Sequence, residues 1–328
     1  MKKKLFLLLA VMLVVIPAKS QLVKWEPDDI KLLTKQWTGE RLPDGRPKVS
    51  DDLLKRLEKV TIEDAYTFLL RRGYECQFEN FASTHENGWM IIHPDKPMIG
   101  RVLTAQYMPM RFDWDDYLQE VGRKQDINRV TNALPVNSLF EGDIYVADGY
   151  GRIADGGTLI GDNVARSIYN NSKQGVIFNG AVRSLEAIAE IDGFNGWIRG
   201  VDPSSIARMI CTSVNAPIRI GRVTVLPGDV VIARRSGVIF IPPHFVEEIV
   251  IQVELAELRR QFNAQQQQQG RAPAATGGAG ANNNNNADFR NWLNRQTNLP
   301  MTRAALDAYF EKQAYEQANP QPARSQRQ

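Results

Sequence analysis

The sequence predicts a single α/β domain over residues 51–260, and three observations predict it. Apolar runs at residues 143–146 and 176–178 flank a stretch of helix length at 164–173, which is the strand–helix–strand order of a crossover unit. Helical spacing precedes that unit, at Leu53, Leu54 and Leu57. A region of strands and turns, residues 217–242, follows it.

The elements follow in chain order. Met1-Lys2-Lys3-Lys4, an apolar run at 5–16 and Ala18-Lys19-Ser20 make a basic region, a short hydrophobic region and a cleavage site. Twelve apolar residues are too few to span a bilayer, which takes roughly 20. Residues 1–20 are therefore expected to be a cleaved signal peptide. The mature chain would start near Gln21, be periplasmic or secreted, and keep no stable membrane insertion. Losing Lys2, Lys3, Lys4 and Lys19 takes the formal charge from +3 to −1, so the basic balance belongs to the leader and no nucleic-acid footprint is left. Residues 21–50 form a polar lead-in with Trp25 and Trp37, expected to wrap the domain surface.

Residues 51–72 read as helices. Thr61-Ile62-Glu63-Asp64 has the form of an N-cap with acids in the first turn, and Gly73 is the stop. Strand character begins at Met98. Pro227-Gly228 suits a type II turn and Ser236-Gly237 a second turn. Residues 245–262 read as a helix. A Gln-, Gly- and Asn-rich stretch, residues 261–286, reads as a disordered linker. Periodicity returns over 287–328 with Phe289, Trp292, Leu293, Leu306, Tyr309 and Phe310, a helical tail expected to dock on the parent domain, or else on a partner. Cys76 and Cys211 are either one disulfide or two free thiols. Two cysteines and three histidines scattered along the chain do not suggest zinc.

The densest chemical signal lies between Asp148 and Arg183, where seven glycines fall. Gly149-Tyr150-Gly151-Arg152-Ile153-Ala154 fits a dinucleotide fingerprint. It does not open a helix, however, and the next strand run ends in Asn179 rather than an acid. Gly161-Asp162-Asn163-Val164 is the better candidate, because a Gly-rich loop meets a helix start and free amides there hold anions. Asp162 is either the N-cap or a catalytic carboxylate. Arg183, on the turn after residues 176–178, would share that sheet edge and reach the same anion.

With these residues in hand, 51–260 resembles the family of 4-hydroxy-4-methyl-2-oxoglutarate aldolases and regulator-of-ribonuclease-activity-A proteins. The marks are Thr61-Ile62-Glu63-Asp64-Ala65, Met98-Ile99-Gly100-Arg101-Val102, Gly142-Asp143-Ile144-Tyr145-Val146-Ala147-Asp148, Gly161-Asp162, Asn179-Gly180-Ala181-Val182-Arg183, Arg199-Gly200 and Pro227-Gly228-Asp229-Val230-Val231. The resemblance implies a swivelling β/β/α-type core and a homotrimer or hexamer with a pyruvate-type site between subunits. It implies a lyase that cleaves 4-hydroxy-2-oxo acids or decarboxylates oxaloacetate. Gly161, Asp162, Asn163, Val164 and Arg183 would then bind a small 2-oxo acid, with Asp162 and Arg183 as the catalytic pair. Mg2+ or Mn2+ would stabilise the pyruvate enolate.

The sequence departs from the family pattern at one position of consequence. Catalytic relatives carry a metal-holding Asp directly after the Arg, and this chain has Ser184. Glu186 is the nearest acid, but two residues along a helix turn it about 200° away. Ser184 would then be a helix cap. Arg234-Arg235 stands where relatives carry acids, and reads as surface charge or as preference for a more anionic ligand. The alternative to a lyase is a catalytically degenerate binding or structural protein on the same scaffold.

Overall fold

The computed structural model describes residues 23–82, 88–154, 156–269 and 283–319. The expected leader and residues 270–282 of the expected linker lie outside them. The strands are β1 (Phe78–Glu79), β2 (Met90–Ile91), β3 (Met98–Pro109), β4 (Asp143–Asp148), β5 (Thr158–Ile160), β6 (Val176–Asn179), β7 (Ala181–Val182), β8 (Gly196–Ile198), β9 (Gly200–Val201), β10 (Met209–Val214), β11 (Ile218–Ile220), β12 (Val223–Val225), β13 (Val230–Arg234) and β14 (Gly237–Ile241). The helices are α1 (Pro27–Leu33), α2 (Asp51–Arg56), α3 (Ile62–Arg71), α4 (Phe112–Lys124), α5 (Ala133–Val136), α6 (Asp162–Ser172), α7 (Leu185–Ala189), α8 (Val246–Gln268), α9 (Asn283–Arg295) and α10 (Arg303–Ala318).

The mixed α/β core predicted from the sequence is present. The main sheet runs β1-β14-β13-β3-β4-β6-β8-β2, with β10 also paired to β3. β3, β4, β6 and β8 are parallel, and the pairs at the two ends are antiparallel. α6 carries the chain from β4 to β6, which is the predicted crossover. Successive residues point to opposite faces of a strand, and both faces here are covered. Tyr145 and Ala147 of β4 join one core cluster, while Ile144 and Val146 join another. β13 divides in the same way, Val230 and Ile232 packing under α2, α3 and α8 while Val231 and Ala233 face β11 and β12. Strands buried on both faces read as continuous apolar runs rather than alternations, and that explains the sequence signature at 143–146 and 176–178.

The local signals at the helix ends hold. Thr61 and Asp64 form a reciprocal capping box, and Gly73 takes a left-handed φ of 77° after α3. At the Pro227-Gly228 turn the Asp229 N–H donates to Leu226 O at 3.1 Å, with Gly228 at φ 85°. Cys76 and Cys211 are free thiols; the first is exposed and the second is buried.

The lead-in does more than wrap the surface. Val23 and Lys24 donate their N–H groups to the Gln125 side-chain oxygen, and Lys24 bridges Val214 at one end of β10. Arg46 goes inside. Its side chain is wholly buried, and it donates to Asp44 at 2.7 Å, Asp143 at 2.6 Å and Val102 O at 3.0 Å. Burial opposes its charge, but the Asp143 and Asp44 carboxylates outweigh that and hold its pKa above the ordinary value.

At the other end, α8 continues to Gln268, past the predicted end at Phe262, and takes in most of the glutamine run. Glutamine is a good helix former, and no Gly or Pro interrupts the run before Gly270. Trp292 donates its indole N–H to Gln265 at 2.9 Å. The helical tail docks on the parent domain, with Phe289, Leu293 and Leu306 packed against Leu255, Leu258 and Phe262 of α8. Arg72 and Lys312 both meet the buried Glu248 carboxylate and clasp α10 to α3 and α8. No helix of the described residues is long and apolar enough to cross a membrane.

Candidate anion site

Short strands β5, β7 and β9 form a separate parallel sheet beyond the carboxyl ends of β4, β6 and β8. Residues 181–182, read as a turn from the sequence, are its central strand. The Arg183 N–H still donates to Ile160 O at 3.0 Å, so the ladder continues to Arg183. This fixes Arg183 beside the point where β5 gives way to α6.

Gly161 is the N-cap of α6, and it has no side chain to offer. The first helical bond runs from the Ala165 N–H to Gly161 O at 2.9 Å. The amides of Asp162, Asn163 and Val164 therefore have no intrahelical acceptor, and they sit at the positive end of the helix dipole. Arg183 lies over this cap. A Cβ built on Gly161 would be 3.0 Å from Arg183 Nε and 3.2 Å from its Cζ. Arg183 is exposed and Asp162 half-buried. The structure thus brings the guanidinium and the three amides together, an arrangement chemically suited to a small carboxylate. Asp162 is the first helical residue, not the cap, so its carboxylate is not used in capping.

The metal expectation is corrected. Among the described residues no group of three or more His, Cys, Asp and Glu side chains comes together to hold an ion. Ser184 occupies the position in question, and Glu186 does not replace it. Glu186 lies inside α7, which begins at Leu185, so the helical rotation carries it away. The residues present do not fit Mg2+ or Mn2+, which take several oxygen ligands.

Ser184 stands at the N-cap position of α7, yet its hydroxyl makes no capping bond. Its φ of 56° and ψ of 45° are left-handed, a conformation that costs a residue with a Cβ about 1 kcal/mol. Ser184→Gly is expected to raise stability by about that amount. Urea unfolding checks it, and an unchanged midpoint would mean that no strain is stored there.

Arg234 and Arg235 do not join this site. Arg234 ends β13 beside Met98, at the amino end of β3, whereas Arg183 follows the carboxyl end of β6. Arg234 donates to Glu58 O at 2.7 Å and Val60 O at 3.2 Å. The larger clefts also lie elsewhere. One of about 650 Å³ is lined by Lys55, Glu141 and Lys173 near the far end of α6, and one of about 510 Å³ is lined by Asp95, Arg234 and Arg235.

Sequence reading missed one cluster at this edge. Asp148 accepts from Asn179 Nδ2 at 2.8 Å, the Tyr150 N–H at 2.9 Å and Gln106 Nε2 at 3.1 Å, and Arg199 stacks 3.7 Å over Phe81. Asp148 and Asn179 end paired strands in register, a pairing visible only once β4 and β6 are aligned.

The α/β core thus carries a small parallel sheet at its carboxyl edge and an arginine over a helix start. The RraA-like (Aldolase/RraA) family model matches residues 48–240, and the chain belongs to this family. A Shewanella oneidensis protein named "Putative 4-hydroxy-4-methyl-2-oxoglutarate aldolase" is 34% identical over 105 residues, 29% of this chain and 62% of its own length. An Alcanivorax borkumensis protein of the same name is 32% identical over 122 residues, 37% of this chain and 73% of its own. The match thus spans under two-thirds of the Shewanella relative. Among solved structures, Streptomyces coelicolor RraAS2, described as an unusual member of the RNase ES inhibitor RraA family, superposes with a TM-score of 0.52. It is 21% identical and covers 67% of this chain and 98% of its own. That likeness is one of fold.

Proposed function

We propose that this chain binds a small 2-oxo acid at the start of α6, on an RraA-like scaffold whose described residues bring together no ligand set for metal-dependent lyase chemistry. The observation that carries this reading is the Arg183 guanidinium packed on Gly161 at a helix start without a side-chain cap. C–C bond cleavage, the reaction in the relatives' names, is the second reading. Asp162 favours it, being a carboxylate beside the anion position that capping does not use. Ser184 weighs against it, because a neutral hydroxyl does not replace an anionic ligand.

Calorimetric titration with pyruvate tests the proposal. Arg183→Ala should weaken binding by about 1.5–3 kcal/mol, the range for a bond to a charged group. Unchanged affinity would remove Arg183 from the site. Pyruvate released from oxaloacetate faster than the protein-free rate would shift the function to the lyase reading.

Two further proposals accompany this one. Export rests on the leader pattern of residues 1–20, and N-terminal sequencing of the mature protein tests it. Assembly as a homotrimer or hexamer rests on the family, and light scattering tests it.

A further inference from the structure

Ile153 is an apolar residue left exposed, 38% accessible on the loop between β4 and β5. Its position is fixed by Gly200. A Cβ built on Gly200 would meet Ile153 Cγ2 at 2.9 Å and Cδ1 at 3.1 Å, so the isoleucine lies directly on the glycine. Gly200 pairs in register with Ala181 in the parallel ladder of β7 and β9. Side chains two apart in a strand share a face, and registered partners share it too. Ile153, Gly200, Ala181 and Arg183 therefore belong to one face of the small sheet.

The charges on that face are uneven. Arg183 is a cation, with the α6 dipole beside it. Asp162 stands at the first turn of α6. Asp202 follows β9 two residues after Gly200, and its N–H donates to Val182 O at 3.1 Å. The Asp202 carboxylate accepts from the Ser204 N–H at 2.9 Å and from the Ser204 hydroxyl, which holds its pKa below the ordinary value and keeps it anionic. One ligand carboxylate meets the guanidinium and amides. A second on the same ligand would meet the Asp202 carboxylate and an apolar side chain.

We infer that Ile153, seated on Gly200, selects 2-oxo monocarboxylates with a branched apolar side chain over 2-oxo dicarboxylates. This rests on the binding reading above. The experiment is calorimetric titration of the full mature chain with three ligands: pyruvate, 4-methyl-2-oxopentanoate and 2-oxoglutarate. Wild type is expected to bind the branched monoacid about tenfold or more tighter than the diacid, the scale of one or two methylenes in an apolar pocket. Ile153→Ser should lower that ratio several-fold, with an unchanged thermal unfolding midpoint as evidence that the variant is folded. If wild type binds pyruvate, and Arg183→Ala abolishes that, while Ile153→Ser leaves the ratio as it was, the inference falls and the binding reading stands. A wild-type preference for 2-oxoglutarate also overturns it. If wild type binds none of the three acids, the binding reading itself falls and takes the inference with it.

Discussion

Arg46→Ala is expected to destabilise the chain by about 3–5 kcal/mol, the cost of breaking a buried ion pair from one side. The reason lies in what it would leave behind. Asp143 is fully buried and Asp44 nearly so, and Arg46 donates to both at 2.6–2.7 Å. Without the guanidinium, Asp44 loses its cation, Asp143 keeps only the Arg101 Nε at 4.0 Å, and Val102 O loses a donor. At roughly 2–4 °C per kcal/mol for a domain of this size, the midpoint should fall by about 10 °C. A partly compensated variant separates charge from packing. Arg46→Met with Asp143→Asn should recover much of the loss, because neutral groups of similar volume replace a buried pair at little cost. Thermal unfolding checks both variants, and a single-variant loss under about 1 kcal/mol would mean that the lead-in is only draped on the domain.

The second large effect depends on pH. Burial lifts the Asp229 carboxyl to about 7, with the Leu226 N–H as an opposing hydrogen bond. An unfolded aspartate titrates near 3.9. Between those values the folded chain holds a proton that the unfolded chain has lost, so stability falls as pH rises from about 4 to about 7. Below that window the group costs nothing, and above it the full penalty is present. Each unit corresponds to about 1.4 kcal/mol, so the total is about 4 kcal/mol. Asp229→Asn should match wild type at pH 4 and be more stable at pH 8 by roughly that amount. Parallel stability curves across the range would show that Asp229 does not titrate in this window.

These two residues also mark how far the sequence could be read. The crossover unit, the capping box at Thr61, the Pro227-Gly228 turn and the docking tail were legible because each depends on spacing within a few residues. Gly161 and Arg183 were legible for another reason: the crossover rule places helix starts and strand ends on one edge. Arg46 was not. An arginine in a polar lead-in looks like surface charge, and its partner Asp143 lies 97 positions away. The helical glutamine run was missed because composition favoured a linker, although glutamine's intrinsic preference is helical. Gly142-Asp143 and Gly228-Asp229 echo one another in sequence, but only Asp143 has a buried cation beside it. That difference between two similar turns comes from distant chain segments, and no local pattern records it.

The contact between Gly161 and Arg183 has a consequence for inherited variation in this chain. A methyl group at 161 would press on the arginine side chain at 3.0–3.2 Å and shift it by a few tenths of an ångström. A side chain larger than alanine at 161 and a loss of the arginine at 183, 22 positions apart, should therefore give one phenotype, the first by adding atoms and the second by removing them. A screen for lost ligand binding should recover both, and a smaller residue at 183 should suppress a larger one at 161 in shape but not in function.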